Sequence, residues 1–219
     1  MASIGGPVRI DAGAICLDGD LVLTAQSQGA VLFAHGSGSG RHSPRNRYVA
    51  QVLQQAGFAT LLIDLLTAPE EAIDLHTAHL RFDIAFLAKR LLGATAWLRN
   101  HPRTRHLRIG YFGASTGSAA ALLAAAEGPD VIKTVVSRGG RPDLAGPALA
   151  QVRAPTLLIV GAEDHPVIEM NREAMTRLTA AKRLEIIPGA THLFEEPGAL
   201  EEVGRLSCDW FERYLIAKS

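Results

Sequence analysis

Ile109-Gly110-Tyr111-Phe112-Gly113-Ala114-Ser115-Thr116-Gly117 is the stretch from which the rest of the chain can be read. An apolar run of β type ends in G-x-S-x-G. Ser118 to Ala126 then follow as small residues of helical character. A serine between a buried strand and a helix is held on a strained turn that lifts its hydroxyl above the sheet. Glycines two residues before and two after remove side chains that would block so tight a crossing. The five-residue pattern alone would arise by chance in roughly one chain in ten of this composition, so the strand-turn-helix context carries the weight.

Outward from this turn, short β-type runs alternate with longer helical ones, which predicts an α/β fold with a mostly parallel sheet and helices on both faces. The expected buried strands are Ala30 to Ala34, Ala59 to Ile63, Leu107 to Phe112, Ile132 to Ser137, Thr156 to Val160 and Leu184 to Ile187. Most are continuous apolar runs, as in strands covered from both sides. Val8 to Ile10 and Leu21 to Thr24, beside Asp-Gly turns, predict an antiparallel edge. Ile84, Leu87, Ala88, Leu91, Thr95 and Leu98 recur at helical spacing, and Leu200, Val203, Leu206, Trp210 and Tyr214 predict a C-terminal helix docked on the sheet. Leu66 to Arg81 has no clear period and reads as a functional loop or a small cap. With 219 residues and no repeat or long polar linker, residues 1–219 are expected to form a single domain without a large cap.

A serine hydroxyl needs a base to become a nucleophile at neutral pH, and the base needs an orienting acid. The strand Thr156 to Val160 runs into Gly161-Ala162-Glu163-Asp164-His165, and Leu184 to Ile187 into Pro188-Gly189-Ala190-Thr191-His192. Both candidates follow the C-terminal ends of strands, where sites assemble on open α/β sheets. Ser115, Asp164 and His192 are therefore the expected catalytic residues, with Glu163 the rival acid and His165 a weaker rival base. A negative oxygen forms in acyl transfer and needs donors. The small-residue loop His35-Gly36-Ser37-Gly38-Ser39-Gly40 points to the backbone amides of Ser37 and Thr116. Ser37 and Ser39 lack an elbow of their own, and His35 reads as structural.

Taken together, His35-Gly36-Ser37-Gly38, the turn at Ser115, Gly161-Ala162-Glu163-Asp164 and Gly189-Ala190-Thr191-His192 resemble the α/β-hydrolases, most of all the dienelactone hydrolase-like branch. The resemblance runs from about Leu21 to the last helix. It implies hydrolysis of a small or short-acyl carboxylic ester through an acyl-enzyme, with Ser115 as nucleophile, His192 as base and Asp164 as orienter. Dienelactone hydrolases proper carry cysteine at the elbow, and Ser115 here turns the expectation toward a general serine esterase. A thioester, lactone or amide hydrolase of the same fold, or a non-catalytic binding module, are the alternatives.

Other features bound the partners. Lys plus Arg and Asp plus Glu both total 22, so the basic excess of a nucleic-acid binder is missing. Two widely spaced cysteines, Cys16 and Cys208, do not make a disulfide scaffold and suggest a reducing, cytoplasmic location. The opening residues lack the pattern of a signal peptide, and no run has membrane-span length. The glycine-rich loop lacks a phosphate-binding fingerprint, and His76 and His79 lack further ligands, so neither cofactor nor metal is expected. Arg41, Arg138 and Arg141 fall where the mouth of the site should be, near Arg45 and Arg47. They read either as a rim for an anionic substrate or as a structural network with Asp143, Glu195 and Glu196.

Overall fold

The apolar runs become the middle of one eight-stranded sheet in a computed structural model that describes residues 4–25 and 27–216. Its strands are β1 (Ile4–Asp11), β2 (Cys16–Leu23), β3 (Ala30–Ala34), β4 (Ala59–Ile63), β5 (Ile109–Ala114), β6 (Ile132–Arg138), β7 (Thr156–Gly161) and β8 (Lys182–Ile187). They lie in the order β1-β2-β4-β3-β5-β6-β7-β8. Pairing is antiparallel at β1–β2 and β2–β4 and parallel across the rest. The helices are α1 (Pro44–Gln55), α2 (Ala68–Thr77), α3 (Ile84–Asn100), α4 (Thr116–Glu127), α5 (His165–Arg177) and α6 (Ala199–Leu215), with 3-10 segments at Leu80–Phe82 and Pro142–Gln151. Among the described residues no helix is long and apolar enough to cross a membrane.

The two faces of the sheet make two cores, and β3 shows why a central strand must be apolar throughout. Val31 and Phe33 pack with Val49 and Leu53 of α1 and with Phe211 of α6. Ala30, Leu32 and Ala34 belong to the opposite core, with Leu87 and Leu91 of α3 and the alanines of α4. Successive side chains point to opposite faces, so covering both faces demands a run without alternation. Burying each leucine of this kind stabilises the fold by roughly 2 kcal/mol. α4 is built of small residues, with Ala119, Ala120, Ala121, Ala124 and Ala125 fully buried. Small side chains let its axis lie close to β5.

Three expectations need correction. β5 runs Ile109–Ala114 rather than Leu107 to Phe112, so the strand continues up to Ser115. The antiparallel edge is longer than the short segments expected: β1 and β2 pair from Ile4↔Leu23 to Asp11↔Cys16. Asp18-Gly19 sits inside β2, and the chain reverses instead at Ala12–Ile15, where the Ala12 amide donates to the Ile15 carbonyl at 3.0 Å. Finally, of the two readings of Leu66 to Arg81 the irregular loop is wrong: the stretch holds α2 and the start of the 3-10 segment Leu80–Phe82, as the small-cap alternative allows. Residues 1–3 of the expected leader-free start lie outside the described residues.

Candidate active site

Strand β5 delivers Ser115 into a backbone conformation that L-residues rarely adopt, φ 49° and ψ −123°, before α4 begins at Thr116. Backbone of this kind persists only where its surroundings impose it. Here the surroundings are the neighbouring loop: the Ser115 amide donates to the Arg138 carbonyl at 3.2 Å, and the Arg141 amide donates to the Ser115 carbonyl at 3.1 Å. The flanking glycines are steric necessities. A Cβ on Gly113 would stand 2.5 Å from the Ser118 Cα, and one on Gly117 would stand 2.4 Å from the carbonyl oxygens of Ala34 and His35. No side chain fits at either point.

The other two expected residues meet beyond the ends of β7 and β8. His192 Nδ1 lies 2.6 Å from Asp164 Oδ2, the geometry of an Nδ1–H donating to a carboxylate. That tautomer leaves Nε2 as the acceptor. Glu163, the rival acid, is exposed, and its amide is used to bind the Ala190 carbonyl at 3.0 Å. His165 is exposed as the first residue of α5. Ser115 and His192 line one cavity of about 200 Å³. Among the described residues no direct hydrogen bond joins them, a separation common in enzymes without substrate.

The His192 loop has a support that the sequence reading missed. Glu196 accepts from the Thr191 amide at 3.1 Å and from the Thr191 hydroxyl at 2.6 Å. The hydroxyl bond, with help from backbone amides, holds the Glu196 carboxyl below its usual range. The alternative that placed Glu196 in a network with the arginines is not what forms: among the described residues no arginine is ion-paired with it. His35 is structural as expected: Nδ1 meets the Gly36 carbonyl at 2.9 Å, Nε2 accepts from the Leu65 amide at 3.0 Å, and burial lowers its pKa.

The expected oxyanion donors are adjacent, but one is engaged. The Ser37 amide donates to Thr116 Oγ1 at 2.9 Å. As the first residue of α4, Thr116 reaches back over the β3–α1 loop and takes the donor for itself. Beside this pair lies a second cavity of about 90 Å³, whose wall includes Leu65, Leu66, Leu75 and Leu87.

The arginine rim separates into unlike members. Arg41 is ion-paired with Asp64, its amide also binds Asp64 Oδ1 at 2.7 Å, and Asp20 stands 3.8 Å away. Arg141 holds Asp143 with two bonds of 2.9 and 2.8 Å, which raise its pKa. Both charges are met by carboxylates, as the structural-network alternative expects. Arg138 differs: it is 6% exposed, lines the cavity with Ser115 and His192, and makes one long bond, Nη2 to Asn46 Oδ1 at 3.4 Å. Burial first, then the charge of Arg45, pushes its guanidinium down to about 10. An ion taken out of water costs several kcal/mol unless a counter-charge compensates. Among the described residues no carboxylate pairs with it. Arg45 pairs with Glu195 at 2.9 Å.

Residues 20–215 match the model of the dienelactone hydrolase family. The crystal structure of a dienelactone hydrolase from Anabaena variabilis ATCC 29413 shares 62% sequence identity and a TM-score of 0.96, covering 98% of this chain and 100% of that one. Est1E from Butyrivibrio proteoclasticus, 18% identical over 95% of this chain and 98% of its own, has the same fold at a TM-score of 0.78. A curated protein of Mycobacterium tuberculosis (strain ATCC 25618 / H37Rv), named "Putative phosphoribosyl transferase", is 55% identical over 208 residues. Those residues are 95% of this chain but 46% of that protein, so the chain spans about half the length of this relative. Family and fold are those of a hydrolase, and the chain belongs to the dienelactone hydrolase family.

Proposed function

We propose that this protein is a serine carboxylesterase acting on small or short-acyl esters through an acyl-enzyme. The observation that carries the reading is the 2.6 Å pair of His192 and Asp164 across one cavity from Ser115 on its strained turn. Ser115 Oγ attacks the ester carbonyl carbon while His192 Nε2 takes its proton, and Asp164 stabilises the imidazolium that results. The negative oxygen turns to the amides of Thr116 and Ser37, displacing the Thr116 hydroxyl from the latter. The carbon–oxygen bond to the alcohol breaks, and the alcohol leaves with the proton from His192. Water, deprotonated by His192, then attacks the acyl-enzyme; the bond from the acyl carbon to Ser115 Oγ breaks, the carboxylic acid leaves, and His192 returns the proton to Oγ. The leucine-lined cavity beside Ser37 and Thr116 suits a short acyl group.

A lactone is the second reading. It is favoured by the 62% identical relative described as a dienelactone hydrolase, and it needs no change in machinery. The transferase name belongs to proteins more than twice as long, of which this chain matches about half. Both cysteines are free, which fits a reducing cytoplasmic setting. A fluorophosphonate probe tests the reading: it should label Ser115 stoichiometrically, and p-nitrophenyl acetate should give a burst followed by slower turnover. Labelling elsewhere, or none in the Asp164-intact protein, refutes it.

A further inference from the structure

The wall of the Ser115 cavity carries more positive charge than an esterase needs. Arg138 rises from the end of β6 with Nε buried and without a hydrogen-bond partner, and Arg45 Nε is in the same condition. Asn46, a neutral amide, is the group facing Arg138 from α1. That twelve-residue helix starts at the same cavity, with Ser43 as its N-cap and no acidic residue in its first turn. Ser37 and Ser39 complete the wall. Glu195 offsets Arg45, which leaves the full charge of Arg138 and about half a charge from the helix N-terminus. A phosphate monoester carries about −1.5 to −2 at neutral pH. Its three terminal oxygens also suit donors arriving from β6, from α1 and from the serine loop, whereas one guanidinium fork satisfies a planar carboxylate.

We propose that the ester hydrolysed here carries a phosphate monoester, seated on Arg138, Arg45 and the N-terminus of α1 while its carbonyl reaches Ser115. The substrate assignment rests on the esterase reading of Ser115, but the phosphate seat does not. Calorimetric titration of inorganic phosphate into Ser115→Ala, in low-salt buffer free of phosphate, tests the seat alone. Saturable binding is expected, at least tenfold tighter than acetate, and weakened at least tenfold by Arg138→Gln. Asn46→Asp supplies the missing carboxylate internally, so it should abolish phosphate binding and raise Tm. It also keeps the test open if Arg138→Gln does not fold. In the active enzyme, KM for 2-acetoxyethyl phosphate should be at least tenfold below that for the diacetate of ethylene glycol, with the advantage lost in Arg138→Gln.

No phosphate binding, binding indifferent to Arg138→Gln and Asn46→Asp, or acetate bound as tightly as phosphate would overturn the proposal. Arg138-dependent phosphate binding without a KM advantage makes free phosphate the ligand and overturns the substrate assignment. If phosphate binds as expected but neither ester is hydrolysed, the esterase reading fails and the seat stands.

Discussion

At the scale of single residues, the proposed mechanism asks different things of neighbouring side chains. Ser115→Ala should lower kcat at least ~10³-fold with the fold intact, measured on protein freed of host esterases. Activity within tenfold of wild type would remove Ser115 as nucleophile. Asp164→Asn should be severe because it favours the wrong imidazole tautomer. Glu163→Gln should change kcat less than threefold, since that residue is exposed and Asp164 is the carboxylate bonded to His192. The reverse ranking would name Glu163 as the acid. Arg41 is ion-paired with Asp64, so Arg41→Gln should lower Tm while leaving the ratio of rates on anionic and neutral esters unchanged. A selective rise in KM for anionic esters would return Arg41 to the rim.

At the scale of elements, α2 is the piece whose stability depends on polar contacts instead of core burial. Asp74 is its one buried residue, while Ile73 and Leu75 lie exposed. The capping box of Thr67 and Glu70 starts the helix, a contribution of about 1 kcal/mol. At its far end Asp74 accepts from the Leu80 amide at 2.7 Å and from Arg81 Nε at 2.5 Å. Burial pushes the Asp74 carboxyl up, but the Arg81 bond and the amides of Leu80 and Arg81 outweigh it and hold its pKa below the usual value. A carboxyl lowered in the folded state contributes stability that is complete above its unfolded pKa, about 3.9, and lost as pH falls through the folded value. Asp74→Asn should therefore lower Tm at pH 7, and the gap from wild type should shrink below about pH 4. A gap constant with pH would mean that Asp74 acts through shape alone. The lack of an apolar stripe explains why α2 was not legible: its sequence signal was the cap, not the period.

For the molecule as a whole, the predicted preference follows from what covers the sheet edge. Glu71, Asp74 and Leu75 of α2 and Arg81 of the short 3-10 segment after it form part of the wall of the leucine-lined cavity of about 90 Å³. At ~0.8 kcal/mol per buried methylene, a long acyl tunnel would raise kcat/KM about fourfold per carbon. This site should instead peak at short acyl chains and show no jump in rate above the solubility limit of the substrate. A p-nitrophenyl ester series from acetate to palmitate, crossing that limit, decides it. A steady climb with length would require an apolar groove larger than the one seen.

Much of this architecture is legible along the chain because its causes are local. A strand buried on both faces must be apolar at every position, so β3, β4 and β7 announce themselves. The strained turn needs Gly113 and Gly117 within two residues of Ser115, and the order of Ser115, Asp164 and His192 follows the order of the strands. Charge pairing has no such local signature. Arg41 is neutralised by a residue 23 positions away, and Arg138 faces a neutral amide 92 positions away. The Ser37 amide is taken by a hydroxyl 79 positions along the chain. Adjacent Glu163 and Asp164 differ in exposure, and the approach of the loop after β8 makes Asp164 the partner of His192. Such interactions act over a few ångströms, and those distances are settled by the order of strands and the packing of helices on them.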